Sequence, residues 1–128
     1  SEVALERLGA AARERGLSVA TAARDVTARP PEPGSFDVIV VAHFLERSLC
    51  PALVEALRPG GLLFYQTWTR SAVERRGPCN PAFRLDDNEL LHLFARLRPV
   101  VYREEGVLGD VGRGFRNQAM LVALRVQG

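Results

Sequence analysis

Residues 36–41, Phe-Asp-Val-Ile-Val-Val, decide the fold of this chain. Four of the six are β-branched, and such side chains pack well on extended, pleated backbone. The run is nearly continuous rather than alternating, which predicts a central parallel strand covered on both faces. Working outward, Pro51 fits the first turn of a helix, where its missing N–H costs nothing, and Leu53, Val54 and Leu57 face the sheet from that helix. Arg58-Pro59-Gly60-Gly61 ends the helix and turns directly into residues 62–67 (LLFYQT), a second buried strand. Strand, helix and tight turn of these lengths make a right-handed crossover between parallel neighbours.

Upstream, residues 1–15 carry an apolar stripe of Val3, Leu5, Leu8, Ala11 and Ala12 at helical spacing, closed by Gly16. Residues 18–24 (SVATAAR) predict a short edge strand, after which Asp25 opens a connection that Pro30, Pro31, Pro33 and Gly34 keep irregular. Downstream, residues 68–85 contain Gly77-Pro78 and Asn80-Pro81 and predict a long loop of functional length. Asp86 and Glu89 have capping-box spacing before a helical face of Leu90, Leu91, Leu93, Phe94 and Leu97. Residues 100–105 and 117–126 predict strands, and the glycine-rich connection 106–116 between them carries no helix pattern, so the two pair antiparallel. The order implies one α/β domain with a mostly parallel sheet and a single reversed strand.

The composition supports this. The chain has 128 residues, 47% hydrophobic and 25% charged, enough for one domain with a core. Seventeen basic residues, all arginine, against 15 acidic ones give a net charge of +2 with no basic stripe, which argues against nucleic acid. No apolar run approaches the roughly 20 residues of a membrane span, and residues 1–15 do not have the pattern of a signal peptide. Cys50 and Cys79 lack the spacing of a metal knuckle or a redox pair and predict reduced thiols in a cytoplasmic protein.

FDVIVV, the short helix, PALVEALRPGG (51–61) and LLFYQTWT (62–69) together resemble the second half of class I S-adenosylmethionine (SAM) methyltransferases. RRGPCNPAFRLDDNELLHLF (75–94) resembles the loop and helix of the bacterial subgroup known as tellurite-resistance-type methyltransferases. The resemblance covers essentially the whole chain. It implies a Rossmann-like sheet, SAM as cofactor, and methyl transfer to a small-molecule or thiol- or chalcogen-like acceptor. It departs from the family at one place. The glycine-rich first strand and turn, the next helix and the second strand, with its ribose-binding acidic residue, have no counterpart in the sequence. We therefore expect a partial methyltransferase sheet lacking its first two strands, weak or no SAM binding, and little activity in isolation. The two strands would lie between residues 18–24 and 36–41, a gap of three strand spacings, about 14 Å. That leaves FDVIVV an exposed edge, completed by a missing N-terminal half, by a second copy in a homo-oligomer, or by residues 18–24 moving inward. The alternative function is a cofactor-free interaction module that completes or regulates a partner.

In an open α/β sheet, ligands lie beyond the carboxyl ends of the strands, and three places in the chain qualify. The resemblance assigns Asp25 and Val26 to the adenine of the cofactor; the other reading of Asp25 is a residue capping its own turn. Ala42, His43 and Phe44 follow FDVIVV and by resemblance adjoin the reacting methyl. There His43 either orients the substrate and takes its proton or serves as a hydrogen-bonded structural residue. Thr67 and Trp68, reached through Gln66, with Asn80 and Arg84 from the loop, form a substrate wall or an ordinary ordered loop. No metal cluster or catalytic triad is expected, because a sulfonium methyl donor carries its own activation and the protein aligns and desolvates the reactants. Residues 109–114 (GDVGRG) join two strands, so they do not form a dinucleotide loop. Neither cysteine has a base that the sequence identifies beside it.

Overall fold

The computed structural model describes residues 2–127. The elements are α1 (Glu2–Glu14), β1 (Phe36–Ala42), α2 (Cys50–Ala56), β2 (Leu57–Trp68), α3 (Glu89–Leu93), β3 (Arg98–Arg103) and β4 (Gln118–Leu124), with short 3₁₀ turns at Arg47–Leu49 and Pro81–Phe83. The four strands form one sheet in the order β1-β2-β4-β3. β1 and β2 run parallel, from Val38 opposite Leu62 to Ala42 opposite Gln66. β4 lies antiparallel between β2 and β3, with Trp68 opposite Gln118 and Leu62 opposite Leu124. The parallel pair, the crossover helix and the reversed strand are those the sequence predicts.

The core lies on one face of the sheet. Leu63, Tyr65 and Thr67 of β2 and Ala119, Leu121 and Ala123 of β4 point to it and are at most 1% exposed. Leu53 and Val54 of α2 cover them, together with Leu90, Phe94 and Leu97 of the α3 region. Intervening residues are less covered, and Phe64 is 38% exposed. Strands with both faces buried need helices on both sides. Here α2 and α3 share one face, so β2 alternates in burial instead of being buried throughout.

Several expectations are corrected. Residues 18–24 form no strand and are exposed; their small and polar side chains bury too little to hold an extended segment against the sheet. They do not move inward to cover β1. In the α1 stripe only Ala12 is buried, whereas Val3 is 57% and Leu8 48% exposed, and Ser1 lies outside the described residues. Leu57 opens β2 rather than closing the helix, and residues 58–61 form an irregularity in the strand: Phe36 pairs with Leu57, but Val38 pairs with Leu62. The guanidinium of Arg125 in turn donates to the carbonyls of Val54, Glu55 and Leu57, satisfying the end of α2 from the last strand. α3 is shorter than its apolar face, yet Phe94 and Leu97 beyond it are still buried.

β1 is not the doubly covered strand its composition suggests. Among the described residues its one neighbour is β2, and Val38 and Val40 are 51% and 70% exposed. The most β-branched strand of the chain is thus one of the two open edges of the sheet, β3 being the other.

Candidate functional site

β1 and β2 are parallel and in register, so their carboxyl ends finish side by side. The His43 amide continues the pairing by donating to the Gln66 carbonyl at 2.9 Å. At that residue the chain leaves the strand with φ of +54°. A side chain other than glycine costs roughly 1–2 kcal/mol in this left-handed region, so it persists only where the surroundings impose it. Two contacts do so. The His43 ring stacks on Trp68, with centroids 5.0 Å apart and planes 17° from parallel, and its Nε2 lies 3.2 Å from Oε1 of Gln118. The same Gln118 oxygen accepts from Nε2 of Gln66 at 3.0 Å.

The segment after His43 is tied down from beneath. The buried Tyr65 hydroxyl donates to the Phe44 carbonyl at 2.6 Å, and burial pushes its pKa well above the ordinary phenol value. Glu46 then caps the 3₁₀ turn, accepting from the Ser48 hydroxyl at 2.8 Å and from its amide. Above these residues is a cavity of about 450 Å³. His43, Phe44, Leu45 and Glu46 form one wall, Thr67 and Trp68 another, and Gly77, Pro78 and Phe83 of the long loop a third. Gly77 packs against the indole so closely that a Cβ there would lie 2.5 Å from Trp68 Cδ2.

The long loop is ordered by polar contacts. Thr69 bridges to Leu85. Arg84 donates to the carbonyls of Thr69 and Pro78, both at 2.9 Å, and to that of Arg76. Asn117 Oδ1 accepts from the amides of Val73 and Glu74 at 2.8 and 3.0 Å. Arg47 pairs with Glu89 and donates to the carbonyls of Ala82 and Arg84, joining the exit of β1 to the loop and to α3. The Glu89 carboxyl is held below its ordinary range, chiefly by the hydrogen bond from Arg47.

His43, Phe44, Thr67 and Trp68, distant in sequence, thus line one cavity, with Ala42 directly before them at the end of β1. Asn80 and Arg84 do not line it. Asn80 caps the Pro81–Phe83 turn, accepting from the Ala82 amide at 3.0 Å, and the Arg84 guanidinium is engaged by loop carbonyls. Asp25 also lies outside the cavity lining. It is exposed and accepts from the Thr27 hydroxyl at 2.5 Å and from its amide at 3.0 Å, contacts that lower its pKa. Val26 packs against the edge of the core. Cys50 is buried, its thiol pushed up to about 11 by that burial, and Cys79 is exposed; both are free. Gln118, Tyr65, Asn117 and Arg47 are the residues that sequence reasoning missed. Among the described residues no group of His, Cys, Asp and Glu could hold a metal ion, and no helix is long and apolar enough to cross a membrane.

Neither a protein-family model nor a curated protein matches the chain. Solved structures do. TehB from Haemophilus influenzae superposes with a TM-score of 0.74 at 19% identity, over 99% of this chain and 48% of TehB. The [4+2]-cyclase SpnF gives 0.71 at 19% identity, over 100% of this chain and 64% of the cyclase. A geranyl diphosphate methyltransferase in complex with SAM gives 0.67 at 17% identity, over 98% and 66%. The fold is that of class I SAM-dependent methyltransferases. The chain spans about half the length of TehB, and the cyclase among its neighbours illustrates that this methyltransferase fold hosts more than one chemistry.

Against SAM itself, the described residues fit one end only. The cavity can take a methyl group and its acceptor against His43, Phe44 and Trp68. For an adenosine and a carboxypropyl group the described residues offer no glycine-rich turn from a strand into a helix, and Asp25 is turned onto Thr27.

Proposed function

We propose that this chain is the acceptor-side part of a SAM-dependent methyltransferase domain that transfers a methyl group to a small, largely apolar acceptor, with a thiol- or chalcogen-like group as one candidate. The observation that carries this reading is the cavity lined by His43, Phe44, Thr67 and Trp68 at the carboxyl ends of two parallel strands, within a methyltransferase fold. Phe44, Leu45, Trp68 and Phe83 give it an apolar wall against which a flat or soft acceptor is oriented. His43, held by contacts with Trp68 and Gln118, receives the acceptor's proton in this reading. Trp68 and Thr67 serve as substrate wall, while Asn80 and Arg84 shape the loop that closes it.

The cofactor-holding strands belong in this reading beside β1, an unpaired edge of the sheet whose uncovered face carries the exposed Val38 and Val40. They would come from an N-terminal half; a second copy of the chain can fill the edge but has no glycine-rich turn to bring to it. The same edge favours a second reading, in which the chain is an interaction module that completes a partner's sheet without binding SAM itself. Calorimetry separates the two. SAM is titrated into this chain alone, and into the chain joined to a methyltransferase N-terminal half that carries the glycine-rich turn. The enzyme reading predicts tight binding only for the joined protein. Micromolar binding by the isolated chain would sink the division of labour, and none by either protein would leave the interaction module.

A further inference from the structure

Gln118 opens β4 directly opposite Trp68, the last residue of β2, and this register puts its carboxamide beside both Gln66 and His43. Its Oε1 already accepts a hydrogen bond from Gln66 Nε2 at 3.0 Å. A carbonyl oxygen has only lone pairs to offer, so its 3.2 Å contact with His43 Nε2 is a hydrogen bond only when that nitrogen carries hydrogen. A neutral imidazole protonated on Nε2 holds its free lone pair on Nδ1. Stacking on Trp68 holds the ring plane, and within that plane the Gln118 contact singles out Nε2.

We propose that Gln118 is a positioning residue that holds His43 as the Nε2–H tautomer, leaving Nδ1 as the acceptor presented to the cavity. The site then prefers a ligand with one donor hydrogen, O–H or S–H, over the same molecule with that hydrogen replaced by methyl. This rests on the acceptor-side reading of the cavity and adds a consequence to it. Methylation removes the hydrogen that Nδ1 recognises, so the product loses the contact that seated the acceptor and is released in preference to it.

The test needs no cofactor, so its failure is distinct from a failure to bind SAM. The chain has two histidines, and a His92→Gln variant assigns the imidazole resonances in a ¹H–¹⁵N correlation recorded where the ring is neutral. The wild type is expected to be predominantly Nε2–H. Gln118→Leu is expected to lower the ratio of Nε2–H to Nδ1–H about fivefold, the equivalent of one neutral hydrogen bond, and Gln118→Glu, which keeps an acceptor oxygen in place, to restore it. A predominantly Nδ1–H wild type, or an unchanged ratio in Gln118→Leu, overturns the proposal. Should Gln118→Leu fail to fold, Gln118→Met takes its place, with the same fall in the ratio expected and an unchanged ratio again overturning the proposal. Phenol and anisole then probe the ligand class: phenol is expected to shift Nδ1 and anisole not, and equal shifts refute the preference for a donor hydrogen.

Discussion

Adding one methyl group at Gly77 will push Trp68 off the His43 ring. An ideal Cβ at that position lies 2.5 Å from Cδ2 of the indole and 2.7 Å from Cγ and Cε2. Carbon atoms in contact rest at about 3.5–4.0 Å, so roughly 1 Å of separation must open. Position 77 also has φ of +81°, which costs any L side chain roughly 1–2 kcal/mol. Overpacking alone costs about 1–3 kcal/mol in a rigid core, but this is a surface loop, and much of the clash relaxes into movement of the ring. We expect Gly77→Ala to lose about 2 kcal/mol and roughly 8 °C in Tm. Trp68 is the chain's single tryptophan, so its emission reports the displacement directly and should shift to the red. Gly109→Ala is the control, because Gly109 has φ of +68° but nothing within 4 Å of the added carbon. It carries the backbone cost without the clash, and its emission should match wild type. A Gly77→Ala protein with wild-type emission and a Tm no lower than that of Gly109→Ala would refute the packing of Gly77, Trp68 and His43.

Tyr65→Phe removes the hydroxyl that holds the Phe44 carbonyl and should cost about 1 kcal/mol in chemical denaturation, with Trp68 emission altered as the segment after β1 loosens. Glu89 has a folded pKa below its ordinary 4.5 because of Arg47. The stability this adds is therefore present above about pH 4.5 and is lost as pH falls through the folded value. Glu89→Gln should flatten that acid limb in Tm-versus-pH profiles, and a limb unchanged from wild type would exclude the pair as its source. Val40, 70% exposed on the open edge, predicts self-association through β1. Sedimentation should find wild type above its 14.1 kDa monomer mass and Val40→Lys at that mass, since a charged edge resists pairing; a monomeric wild type would exclude pairing between copies through β1.

The parallel pair was legible because FDVIVV and LLFYQT are β-branched or apolar runs separated by a helix with a proline in its first turn. The reversed last strand was legible from the glycine-rich connection before it. Residues 18–24 misled, because a short run of small, weakly apolar side chains says nothing about whether a neighbouring strand exists to pair with them. His43, Phe44, Thr67 and Trp68 could be named from the rule that sites form at the carboxyl ends of parallel strands. Their supports could not. Gln118 meets His43 from 75 residues away, through a register between β2 and β4 that no local pattern specifies. Where Arg84 and Asn80 would sit could not be read, because a polar side chain in a functional-looking loop has the same signature whether it meets a ligand or the loop's own backbone.

The most direct measurement is an amide chemical-shift map of SAM binding to the chain joined to a glycine-rich methyltransferase N-terminal half. Our account predicts shifts concentrated at residues 42–46 and at Thr67 and Trp68, where β1 and β2 end, with the opposite ends of the strands near Asp37 and Leu62 little changed. Shifts centred at those opposite ends, or confined to the N-terminal half with His43 and Trp68 unmoved, would contradict it.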